Sequence, residues 1–132
     1  MRIAVIYKEA ALSAKSSVFL KKIQAGKLHA LTSSVTLMEI VLDIVESGFS
    51  EATEVAVASI EDLHNLEIVP LDHTMTKLAA DHVIKEKLTI HDAYHLATAT
   101  SRKARVFVTR DEELSRKVAR YMKATVPEEA ES

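Results

Sequence analysis

Short apolar runs alternate with stretches in which apolar residues recur every three or four positions, and this change of period divides the chain into strands and helices. Ile3 to Tyr7 predicts a first strand and Leu28 to Thr32 a second. Between them a helix over Ser16 to Ala25 turns Val18, Phe19 and Ile23 inward and stops at Gly26. A longer helix is expected from Val35 to Ser47, closed by Gly48, and another from Glu51 to Leu63 behind a Ser50 cap. Glu67 to Val69 forms a short strand that Pro70 stops. Asp72 caps a helix with Met75, Leu78, Ala79, His82 and Val83 on one face, and Thr89 caps the next, through Arg102. Val106 to Thr109 is strand again, and a final amphipathic helix carries Leu114, Val118, Tyr121 and Met122. Thr125 and Val126 add an edge strand. Pro127 to Ser132 is expected as a flexible acidic tail behind a single domain spanning 1–126.

Alternating strands and helices, with the strands apolar throughout, predict an α/β fold. Its expected form is a three-layer α/β/α sandwich around a central, mostly parallel sheet. At 132 residues the chain is long enough to bury roughly two-thirds of its unfolded surface. Gly26 and Gly48 are its two glycines, which excludes both a phosphate-binding glycine loop and a dinucleotide fingerprint. It has no cysteine, and no stretch approaches the ~18 apolar residues of a membrane span. A cytoplasmic protein without disulfide chemistry is the expectation.

The net charge of −2 conceals a segregation. Leu31 to Asp72 carries nine acids and no Lys or Arg, whereas Met1 to Ala30 carries six bases against Glu9. Residues 100–125 carry eight bases against Asp111, Glu112 and Glu113. Basic flanks around an acidic middle suit a polyanion approaching a metal-loaded pocket, although single charges of this kind also solvate helix faces.

Three carboxylates stand near predicted strand ends: Glu39, Asp92 and Asp111. In open parallel sheets that edge is where ligands bind. Three acids converging there would repel one another unless a divalent cation filled the space. Each also has a plain structural role open to it. Glu39 lies three residues after Thr36, as in a capping box, and shares a stripe with Asp43 and Glu46. Asp92 lies three after Thr89, and Asp111 could be a first-turn acid favoured by the last helix's dipole. His91 and His95, four apart, could bind Zn²⁺, but no third nitrogen or sulfur ligand stands at a suggestive spacing.

The segments Thr32-Ser33-Ser34-Val35-Thr36-Leu37-Met38-Glu39-Ile40, Leu88-Thr89-Ile90-His91-Asp92-Ala93-Tyr94-His95-Leu96-Ala97-Thr98-Ala99 and Val106-Phe107-Val108-Thr109-Arg110-Asp111-Glu112-Glu113-Leu114 resemble, in order and spacing, the acidic motifs of PIN-domain nucleases. The resemblance runs over essentially the whole chain. It implies divalent-metal-dependent cleavage of phosphodiester bonds in single-stranded or structured RNA, often by the toxin of a toxin–antitoxin pair. In that case Glu39, Asp92 and Asp111 are both the catalytic residues and the ligands of Mg²⁺ or Mn²⁺. Arg110, Arg116 and Lys117 are candidate phosphate contacts, and a cognate antitoxin and a homodimer are the implied protein partners. One position departs from the pattern: Tyr7 stands where the family's first acid is expected, with Glu9 the nearest acid. Two functions therefore stay open. One is an active endoribonuclease; the other is a catalytically degenerate PIN domain acting as an RNA- or protein-binding module.

Overall fold

The computed structural model describes residues 3–6 and 17–129. Five strands, β1 (Ile3–Ile6), β2 (His29–Ser33), β3 (Leu66–Val69), β4 (Val106–Val108) and β5 (Lys123–Thr125), form one sheet in the order β3-β2-β1-β4-β5. Every pairing is parallel, with Val5 opposite Leu31 on one side and Phe107 on the other. Among the described residues six helices join them: α1 (Ser17–Gln24), α2 (Val35–Glu46), α3 (Thr53–Glu61), α4 (His73–Glu86), α5 (Ile90–Ser101) and α6 (Glu112–Val118).

Strand alternation explains the layers. Leu31, Val69 and Phe107 point to one face and are buried together with Met75, Ala79, Leu88, Ala93, Leu96, Ala97, Leu114 and Val118, so α4, α5 and α6 cover that face. Ala30, Val106 and Val108 alternate with them and point the other way. Right-handed crossovers place α1 to α3 on that opposite side, where Ile23 and Ile40 are fully buried. The expected three-layer sandwich is what forms.

The crossovers β1→β2→β3 run in one direction from β1 and β4→β5 in the other. The C-terminal edge between β1 and β4 is therefore the topological switch point, the usual ligand crevice of such sheets. Tyr7 and Glu9, which follow β1, lie outside the described residues, so the departure from the motif keeps its sequence meaning alone.

Several element boundaries differ from expectation, each for a local reason. The helix expected over Glu51 to Leu63 is divided into a 3-10 turn at Ser50–Ala52 and α3, with the Thr53 hydroxyl donating to the Ser50 carbonyl. The last helix stops at Val118 rather than continuing through Met122. Tyr121 N and Met122 N both turn back to the Val118 carbonyl, which leads the chain into β5 at Lys123. Beyond β5, Pro127–Glu129 form a 3-10 turn in place of the first residues of the expected tail. Pro127 is buried there, and Glu128 pairs with Arg110.

Candidate active site

The candidate site is built from residues near the N-terminal ends of three helices that face the C-terminal edge of the sheet. β2 ends at Ser33, and Ser34 pins that end to β3 through both its N–H and its hydroxyl, which donate to the Val69 carbonyl. α2 starts at once, at Val35. Glu39 therefore lies in the second turn rather than in a capping box, and it is 3% exposed. Nor does it sit on a solvated stripe: Glu46 is exposed and Asp43 half-buried, but Glu39 points inward.

What Glu39 meets is a histidine pair. His95 Nε2 lies 2.8 Å from Glu39 Oε1, and His91 Nδ1 lies 3.4 Å from Oε2. A carboxylate only accepts, so His95 Nε2–H donates, whereas His91 approaches within ion-pair distance. His95 is fully buried and His91 nearly half exposed. Since α2 and α5 belong to opposite layers, they touch past the sheet's edge, and this contact closes that edge between them. The i, i+4 spacing of the two histidines puts them on one face of α5. That spacing was visible in the sequence, but nothing there identified Glu39 as the partner.

Asp92 occupies the third position of α5. Its N–H donates to the Thr89 hydroxyl at 3.3 Å, so Thr89 is the cap, as expected, and Asp92 is the capped residue. The cap does not account for its side chain: among the described residues, the buried Oδ1 has no hydrogen-bond partner. An unsatisfied buried carboxylate oxygen is costly and unusual. Asp111 is the N-cap of α6 itself, its Oδ1 accepting from Leu114 N at 3.0 Å, while its own N–H donates to the buried Thr109 hydroxyl at 3.1 Å.

Asp92 and Asp111 line one cleft of about 120 Å³, together with Lys87, Leu88, Thr89, Glu113, Leu114 and Lys117. The three predicted acids thus divide into a pair sharing a cleft and a third held by histidines. Among the described residues, no three His, Asp or Glu side chains are grouped closely enough to hold a metal ion. Arg110, a candidate phosphate contact, is engaged by Glu128. Among the described residues, no helix is long and apolar enough to cross a membrane.

A five-stranded, all-parallel sheet in the order β3-β2-β1-β4-β5 with helices on both faces defines a class, and comparison names it. The PIN-domain family model matches residues 4–120, and the chain belongs to that family. Similar solved structures include VapBC-1 from nontypeable Haemophilus influenzae, with a TM-score of 0.67 and 12% identity, covering 97% of this chain and 98% of that one. PAE2754 from Pyrobaculum aerophilum gives 0.65 at 21% identity, covering 97% and 92%. A toxin–antitoxin complex from Klebsiella pneumoniae gives 0.64 at 15% identity, covering 96% and 98%. At these identities the likeness is one of fold. No curated protein sequence matches the chain.

Proposed function

We propose that this PIN domain is a divalent-metal-dependent endoribonuclease, the toxin partner of a toxin–antitoxin pair, with Asp92, Asp111 and Glu39 as its catalytic acids. The observation that carries this reading is the buried Asp92 Oδ1 with no hydrogen-bond partner, in the cleft it shares with Asp111. A hard divalent cation such as Mg²⁺ or Mn²⁺ is the natural partner for such an oxygen, because these ions take carboxylate ligands and keep several waters. Asp92 and Asp111 would hold it directly, two carboxylates sufficing for an ion that keeps several waters. When bound, it polarises a phosphodiester and lowers the pKa of a water.

The chain's own residues supply the rest. Asp111 is fixed by the Leu114 N–H and cannot swing away without uncapping α6. Glu39, bracketed by His91 and His95, presents a fixed carboxylate on the α2 side of the edge. Lys87 and Lys117 at the cleft wall balance charge and can contact a phosphate.

The toxin reading draws on the solved neighbours, one of which is a toxin–antitoxin complex by title. Two apolar surfaces offer area that an antitoxin or a second copy of the chain would cover. One carries Met38, Leu42, Val45, Phe49 and Val55; the other carries Val83, Ile84 and Ile90.

The test is cleavage of single-stranded RNA with Mg²⁺ or Mn²⁺ by the natural chain, Asp92→Asn and Asp111→Asn. Asn caps a helix about as well as Asp, so loss of cleavage in Asp111→Asn reports the carboxylate and not the fold. The natural chain should cleave and both variants should lose at least a hundredfold, on the order of 3 kcal/mol of transition-state stabilisation. Metal-independent cleavage, or none by the natural chain, overturns the reading. The second outcome would favour a non-cutting binding module, which the engagement of Glu39 by two histidines and the Tyr7 position already suggest as the rival.

A further inference from the structure

A second cleft, of about 310 Å³, opens beside the carboxylate cleft and is lined by Lys85, Glu86, Lys87, Arg116, Lys117 and Arg120. Five cations face one acid. That acid, Glu86, is buried, with its oxygens taken by Arg120 Nη1 at 3.1 Å and the Tyr121 hydroxyl at 2.8 Å. Lys117 pairs with Glu113 at 3.5 Å, one turn away. Among the described residues Lys85, Lys87 and Arg116 make no ion pair. By contrast, the larger groove along the other flank of α6 sets Arg110, Arg116 and Lys123 against Asp111, Glu112 and Glu129, with no net charge to attract a polyanion.

Lys87 and Lys117 line both the basic cleft and the carboxylate cleft. The Lys117 ammonium lies 3.5 Å from the Lys87 carbonyl and ties α6 to the α4–α5 turn at the point where the two clefts meet. Lys87 also has a left-handed backbone, with φ 55° and ψ 44°, where glycine would be less strained. Lys103 shares the same φ of 55° but lines neither cleft, so it provides a matched comparison.

We infer that Lys85, Lys87 and Arg116, with Lys117 at the junction, form a phosphate track that leads a single RNA strand along α6 into the Asp92–Asp111 cleft. This rests on the ribonuclease reading and deepens it by naming the path of the substrate. The charge complementarity is with a flexible polyanion: cations that follow one another along a cleft match successive phosphates of a strand, and they read no base sequence.

The test measures binding of a short fluorescent 2′-O-methyl single-stranded RNA, which resists hydrolysis, by anisotropy from about 50 to 200 mM salt. Replacing Lys85, Lys87 and Arg116 together by Gln should flatten the log–log salt dependence by about 2 and weaken binding near 150 mM salt roughly 50-fold, from about 0.7 released counterions per contact. Lys87→Gly should raise the unfolding midpoint by relieving the left-handed strain, yet weaken RNA binding. Lys103→Gly should raise the midpoint and leave binding as it was. A triple variant with an unchanged salt slope, or equal behaviour of Lys87→Gly and Lys103→Gly, overturns the track, as does a chain that binds an acidic peptide but not the RNA. Mn²⁺ binding and RNA cleavage, with Asp92→Asn as control, separate the two claims. RNA bound through the track with no cleavage defeats the ribonuclease reading alone, while cleavage with an unchanged slope defeats the track alone.

Discussion

Removing the His95 imidazole tests whether the Glu39 contact is a structural keystone of the site's edge. His95 is fully buried, and its Nε2 lies 2.8 Å from the Oε1 of a carboxylate that is itself 3% exposed. In His95→Ala that carboxylate oxygen loses a hydrogen bond to a charged acceptor, worth about 1.5–3 kcal/mol, and the vanished ring leaves a cavity between α2 and α5. A total cost of about 3 kcal/mol follows. For a chain of 132 residues that corresponds to a fall of about 10 °C in the unfolding midpoint. His91→Ala removes a contact of 3.4 Å made by a side chain 45% exposed, where solvent screening leaves less than about 0.5 kcal/mol. Urea denaturation followed by circular dichroism, extended to a double-mutant cycle with Glu39→Ala, should give a His95–Glu39 coupling of about 1.5–3 kcal/mol. A His95→Ala cost no greater than that of His91→Ala, or a coupling near zero, would refute the reasoning.

Burial, assisted by the Lys85 ammonium, holds the His82 imidazole below its ordinary 6.5. The unfolded chain therefore binds more protons in the window just below that value. The stability His82 contributes is full above about pH 6.5 and is lost as the pH falls through the folded pKa. His82→Phe, which keeps a ring against Tyr121, should flatten the dependence of the midpoint on pH between about 7 and 5, and an unchanged slope would contradict this. Tyr121 is held above 10, chiefly by desolvation and then by its hydrogen bond to Glu86. In an absorbance titration of the phenolates, Glu86→Gln should move one tyrosine toward its ordinary range, whereas no movement would mean that the Tyr121–Glu86 contact is not made in solution.

The layers of the fold were legible because strand and helix periods differ and because the strands are apolar on both faces. Leu31 and Phe107 feed one layer while Ala30 and Val106 feed the other. Strand order was not legible, since period carries no information about which strands pair; it follows from the crossovers. The end of α6 was missed because Tyr121 and Met122 continue the helical spacing of Leu114 and Val118 although the backbone has already turned. At the candidate site, the three acids were singled out as lying next to predicted strand ends; Asp92 instead follows a helix and its turn, yet it shares a cleft with Asp111. The grip of His91 and His95 on Glu39 was not found, because it joins residues 56 positions apart in different layers. The basic cleft was visible only in part: Arg116 and Lys117 stand in a basic segment, but Lys85 and Lys87 come from α4 and its left-handed turn.

The central claim is that Asp92, whose buried Oδ1 has no hydrogen-bond partner among the described residues, binds a hard divalent cation together with Asp111. Calorimetric titration of the natural chain with Mn²⁺ should give a saturable binding heat. Asp92→Asn should abolish it without lowering the unfolding midpoint of the metal-free protein, because the substitution discharges the group without breaking a hydrogen bond that the buried Oδ1 makes. No binding heat from the natural chain, or undiminished binding by Asp92→Asn, would contradict the account.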